Sequence, residues 1–227
     1  MIKLPEYWLQ CPDVTTDQKD QAAFEQLYSD AVNQKDRFNI QYDLAAPKWK
    51  FLNYLVEEHN LVLHGSGNRE ITQFEPRQPE DMSEFGSQNA VYAAADGVWP
   101  MFFAVVDRET YPMTVSNACI QFVEDDTPIS DSFYQFSISQ GILQKKPWRK
   151  GVVYLLTSDT FAEQPKMQFE GYSIRIKQLA SLVPVKPIAQ LDIVPEDFPL
   201  LSKVREHDDT RMEQYARAIQ TGGAWPD

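Results

Sequence analysis

The 227-residue chain carries a formal net charge of −12, with 43% hydrophobic, 12% aromatic and 24% charged residues. Those proportions suit a folded protein with its own core and exclude an extended disordered chain. The acidic balance weighs against broad nucleic-acid or anionic-membrane binding, because phosphate contact needs a cationic surface.

At the start, Met1-Ile2-Lys3-Leu4-Pro5-Glu6 lacks the uninterrupted apolar segment of a signal peptide, and the expected location is the cytoplasm. After Asp17, the apolar residues Ala23, Phe24, Leu27, Tyr28 and Ala31 recur at helical spacing and predict a first amphipathic helix. A second helix is expected near Pro47, turning Trp49, Phe51, Leu52, Leu55 and Val56 inward. The run Leu61-Val62-Leu63-His64 then reads as a buried strand that enters a turn at Gly65-Ser66-Gly67.

Asn68 to Gln88 is polar, with prolines at 76 and 79 and acids at 80, 81 and 84, and predicts a long surface loop of the kind that often carries function. A strand at Ala90 to Ala94 follows. Asp96-Gly97 leads into a helix with Pro100 near its first turn and Met101 to Val106 buried. Strands are expected near Ile120 to Val123, Phe133 to Ile138, Val152 to Thr157, Tyr172 to Ile176 and Val185 to Asp192. Lys145, Lys146, Arg149 and Lys150 form a local basic cluster that reads as a solvated loop. Near the end, Asp208 or Asp209 can cap a helix whose face is Met212, Tyr215, Ala216 and Ile219, with Gly222-Gly223 to stop it.

The apolar runs Val98 to Val106 and Val152 to Leu156 are far shorter than the roughly 20 residues of a bilayer span, so no membrane segment is expected. Cys11 and Cys119 lack the spacing of a disulfide framework or a metal site and read as free thiols. Two helices ahead of mixed strands predict an α+β class, with mainly antiparallel sheets, N-terminal helices and a C-terminal helix. The organisation expected is one domain over 1–227, of which 1–60 is a helical N-terminal portion.

Chemistry concentrates in Leu63-His64-Gly65-Ser66 and Ala90-Val91-Tyr92-Ala93-Ala94-Ala95-Asp96. Alone, the first is an ordinary turn and the second an ordinary core strand. Together, with His64 and Tyr92 28 residues apart, they resemble the His-Gly-Ser and Tyr-Phe-Ala-Asp type motifs of ADP-ribosyltransferases of the histidine-tyrosine-glutamate class, which includes poly(ADP-ribose) polymerases and diphtheria toxin. With Glu75-Pro76-Arg77 between them, the motifs also look like a group of bacterial proteins of unassigned activity.

The resemblance implies an ADP-ribosyltransferase-like fold and NAD as substrate, with no metal and with the acceptor of any ADP-ribose open. In the family, the histidine bonds a ribose, the glycine backbone holds the carboxamide, the serine hydroxyl assists and the tyrosine stacks on nicotinamide. These roles fall on His64, Gly65, Ser66 and Tyr92, and Arg77 is a candidate for the diphosphate. The third family element is a glutamate that stabilises positive charge on the ribose as nicotinamide leaves. By register it falls on Gln178, with Glu170 as the carboxylate alternative. A neutral amide at this position leaves mono-transfer, NAD glycohydrolysis and binding without turnover open. A shared cleft further requires His64, Tyr92 and Gln178 to face the same side.

Overall fold

The computed structural model describes residues 4–33, 38–79 and 84–226. Met1, Ile2 and Lys3 of the N-terminal run and the loop acids Glu80 and Asp81 lie outside them. The N-terminal part contains β1 (Leu9–Gln10), α1 (Gln18–Asn33), β2 (Asn39–Ile40) and α2 (Lys48–His59). Pro47 stands just before α2, and Asn60 ends it in the left-handed region, with its N–H bonded to the Leu55 carbonyl. Next come β3 (Leu61–Ser66), β4 (Val91–Ala94) and α3 (Trp99–Val105).

The strands β5 (Val115–Glu124) and β6 (Thr127–Ser139) form a hairpin longer than the sequence predicts. Asp125 and Asp126, at its tip, both have positive φ, as the tight right-twisted hairpin turn requires. The remainder is β7 (Gly151–Thr157), β8 (Phe161–Glu163), β9 (Met167–Phe169), β10 (Tyr172–Ile176), β11 (Gln178–Ser181), β12 (Ala189–Ile193), β13 (Arg205–His207) and α4 (Met212–Thr221). The expected α+β class, with mainly antiparallel sheets, is observed. The strand expected over Val185 to Asp192 divides: β12 begins at Ala189, and Val185 instead bridges Phe74 of the long loop.

Two sheets result. One runs β1-β6-β5-β10-β9, with β13 also on β6, and the other runs β2-β12-β7-β3-β4-β11-β8. All pairings are antiparallel except β12 with β2 and β13 with β6. The main core joins the sheets through the helices: Phe24 of α1, Phe51, Leu52 and Leu55 of α2, and Met101, Phe102 and Val105 of α3 meet Leu63, Val153 and Leu155 on one side and Tyr134, Phe136 and Ile138 on the other. The apolar faces read from helical spacing are thus the faces buried. Among the described residues, no helix is long and apolar enough to cross a membrane.

Two glycines let α3 settle onto its sheet. A Cβ on Gly65 would lie 1.7 Å from the Pro100 carbonyl oxygen, and one on Gly151 would lie 1.9 Å from that of Ala104. The backbone of α3 therefore sinks between β3 and β7, while Phe102 packs on Phe136 at a ring separation of 4.8 Å.

Candidate functional site

The strand order places the motif residues side by side. His64 is on β3, Tyr92 on the adjacent β4 and Gln178 on β11, next in line. Gln178 begins a strand of its own, which pairs with the tyrosine strand.

Side chains alternate between the faces of a strand, and residues directly opposite in an antiparallel pair share a face. Leu63 is opposite Ala94, Gln178 is opposite Ala94, and Ala180 is opposite Tyr92. Tyr92 and Gln178 therefore project to the face that carries Leu63 and Ala94, and His64 projects to the other. Packing agrees, since Leu63 and Ala94 belong to the main core, whereas Val91 and Ala93 belong to a second cluster with Phe74 and Tyr154. The single cleft lined by all three residues is not formed. The cause is register: His64 is one residue beyond Leu63, and one residue reverses the face.

His64 is held on its own side. Its ring Nδ1 lies 2.7 Å from the Tyr92 carbonyl oxygen, and its ring packs on Phe74 at 4.5 Å. A carbonyl only accepts, so Nδ1 carries the proton and Nε2 of the neutral ring is the acceptor. Burial pushes the His64 pKa below its ordinary value, and the Arg77 charge adds to this, against the opposing effect of the Tyr92 bond. The long loop covers this face: the Phe74 N–H donates to the Val185 carbonyl, and Ile71 N–H donates to the Tyr154 hydroxyl. Arg77 is an exposed residue of that loop, bridged through its backbone to Ala90.

Gly65 and Ser66 have local partners. The open side of Gly65 is filled by α3, and the Ser66 hydroxyl accepts the Asn68 N–H at 3.1 Å, closing the turn. The Tyr92 hydroxyl donates toward the carbonyls of Phe85 and Gln88, at 2.8 and 3.0 Å. It therefore ties the returning end of the loop to β4. The ring of Tyr92 and the side chain of Gln178 are each half-buried.

Glu170, the carboxylate alternative, is far from these strands in the topology. It occupies the turn between β9 and β10 in the other sheet, with φ of 49°, beside Tyr7 and Gly222. The two-residue turn Glu170-Gly171, both at positive φ, sends the chain back within that sheet, and only after Lys177 does it cross to the sheet of Tyr92. The residue beside the Tyr92 strand that the resemblance pairs with the family glutamate is therefore an amide, not an acid.

At Asp96, where the sequence signals only a helix start, the structure holds a buried polar centre. Asp96 is 4% exposed, and its Oδ1 accepts the N–H groups of Val98 and Trp99 at the start of α3 while its Oδ2 accepts the Tyr134 hydroxyl at 2.7 Å. Gly97 beside it donates to Asn53 Oδ1 and leaves no room for a Cβ against the α2 backbone. The Asp-Gly pair signals a turn; its partner Tyr134, 38 residues away, carries no local signal.

Among the described residues, no three His, Cys, Asp or Glu side chains gather into a group that could hold a metal. A cavity of about 260 Å³, lined by Leu27, Asp30, Asn39 and Asp43 among others, lies between α1 and β2, away from the motif strands. Compared with known proteins, the chain matches no family model, no curated protein and no solved structure.

Proposed function

We propose that this protein is a non-catalytic ADP-ribosyltransferase-like binding protein that takes NAD on the Tyr92 and Gln178 side of β4 and β11 and does not turn it over. The observation that carries the proposal is the pairing of those strands, which sets an aromatic ring and an amide on one face, both half-buried. A ring can stack on nicotinamide, and an amide can bond a ribose hydroxyl or a carboxamide. His64 contributes from behind by pinning the strand of Tyr92. Cleavage needs more than this. Positive charge grows on the ribose as nicotinamide departs, and Gln178 stabilises it poorly, while Glu170 is on the other sheet.

A second reading, a protein-binding member of the same fold, is favoured by the internal use of the Tyr92 hydroxyl and of His64 Nδ1. Ligand addition separates the two. A ligand that binds only the folded state at a hundredfold excess over its dissociation constant adds about 2.7 kcal/mol. That corresponds to a rise in Tm of roughly 5–10 °C for a chain of this size. NAD is expected to raise the Tm of the wild type and to lose that effect in Gln178→Ala, whose own Tm stays near that of the unliganded wild type. No shift at millimolar NAD would sink the NAD reading and leave the protein-binding one.

A further inference from the structure

Beneath the C-terminal helix, a chain of polar side chains crosses the outer face of the six-stranded sheet. His207 at the end of β13 is 1% exposed, and both its ring nitrogens have partners. Nδ1 lies 2.9 Å from the Ser137 hydroxyl, and Nε2 lies 2.7 Å from the Thr114 hydroxyl and 3.2 Å from an Asp209 carboxylate oxygen. Ser137 and Gln135 are fully buried, and Gln135 Nε2 donates to the Ser137 hydroxyl oxygen. Thr114 and Ser139 both donate to Asp209.

Counting protons fixes the direction of every bond. The Thr114 hydroxyl gives its only hydrogen to Asp209, so it accepts from His207 Nε2, which must carry a proton. Ser137 accepts from Gln135 and has one hydrogen left, which His207 Nδ1 accepts. The chain therefore runs one way, from Gln135 through Ser137, His207 and Thr114 to Asp209, and it closes only with a neutral imidazole. A proton added at Nδ1 would make it a donor to Ser137 Oγ, which can accept both it and Gln135, and would leave the Ser137 hydrogen without its acceptor inside a fully buried site.

The network joins the sheet to the C-terminal element. Thr114 precedes β5, Ser137 and Ser139 are on β6, and Asp209 opens the 3-10 turn that leads into α4. The groups facing His207 are Thr114, Ser137, Ser139, the carboxylates of Asp208 and Asp209, and the ring of Tyr215 on α4, at 5.9 Å. Asp208 also accepts from Thr210 at the entry to that turn. Tyr215 in turn packs on Trp225, and Trp225 packs on Tyr7.

We propose that His207 is an acid-sensitive latch: while neutral it fastens β13 and α4 to the six-stranded sheet, and its protonation releases them and uncovers the Gln135-Ser137 face. The direction of its pKa agrees, for burial pushes it below the ordinary histidine value, and the Asp209 and Asp208 carboxylates only partly oppose this. The stabilisation is fully present above the released-state pKa of about 6.5 and is lost as pH falls toward the lower latched value. One proton taken up on opening makes opening about tenfold more favourable per pH unit in that window.

Hydrogen exchange of the intact protein, corrected for the intrinsic pH dependence of exchange, tests this. Protection over residues 205–221 is expected to fall severalfold, at most about fivefold, between pH 6.5 and 5.5 relative to β7, and to show no such fall in His207→Gln, which donates and accepts without titrating. Equal protection at both pH values overturns the proposal, as does the same fall in the variant. If the variant does not fold, the wild-type His207 ring signal decides. A ring that titrates with an ordinary histidine pKa while residues 205–221 stay protected also overturns it.

Discussion

Gly65→Ala is expected to destabilise the protein by about 3 kcal/mol, near the upper end of the overpacking range. The added methyl would lie 1.7 Å from the Pro100 carbonyl oxygen and 3.0 Å from the Ala104 nitrogen. Neither atom is the end of a flexible side chain. Both belong to the backbone of α3, which also meets β7 at Gly151 and β6 through Phe102, so the helix cannot move off one contact without disturbing the others. Losing a glycine from the unfolded chain returns only about 0.4–1 kcal/mol. The urea midpoint should fall with an unchanged slope, and Tm should drop by roughly 6–12 °C. Gly223→Ala is the control, because its nearest neighbour beyond the adjacent residues is a side-chain oxygen at 3.4 Å. A Gly65→Ala protein as stable as wild type would show that α3 does not bear on β3.

Asp96→Ala is expected to cost about 2–4 kcal/mol. Roughly 1 kcal/mol comes from losing the cap on the first N–H groups of α3. A further 1–3 kcal/mol comes from leaving the buried Tyr134 hydroxyl without its carboxylate acceptor. Tyr134→Phe, which keeps the cap, should cost less than Asp96→Ala. In the double variant, the two losses should fall short of additive by at least about 1 kcal/mol, because both remove the same bond. Additive losses would mean that the 2.7 Å contact carries no coupling. The consequence reaches the motif strands, since α3 follows directly from β4 and Asp96 fixes that corner.

The helices were legible because spacing alone determines which residues a helix buries. Phe24 on α1 and Phe51, Leu52 and Leu55 on α2 were read inward and are buried. Strands were legible where they are long and branched, as in β7. Gln178-Leu179-Ala180-Ser181 has small and polar residues over only four positions, too few for alternation to stand out, and so the strand that carries Gln178 was missed. The two- and three-residue strands β1, β2, β8 and β13 owe their existence to partners elsewhere along the chain, and β9 is the short arm of a hairpin with β10.

The candidate site divides in the same way. That His64 and Tyr92 lie on neighbouring strands could be read from two motifs and a loop between them. Their opposite faces could not, because facing depends on the pairing of Leu63 with Ala94, a tertiary register with no local signature. Gly65 shows the same limit: the motif suggests close approach by a ligand, and the close approach is made by α3. The Glu170 alternative fails for a topological reason, as the turn at Glu170-Gly171 keeps it in the other sheet.

Binding of NAD at the Tyr92 and Gln178 face without cleavage can be followed on NAD and the protein together in one NMR titration. Amide signals of residues 91–95 and 178–181 are expected to shift saturably with NAD, while the nicotinamide resonances of NAD remain those of the intact dinucleotide through hours of incubation. Release of free nicotinamide above the buffer rate would contradict the absence of turnover. Saturable shifts confined to other strands, or no shifts at millimolar NAD, would contradict the site.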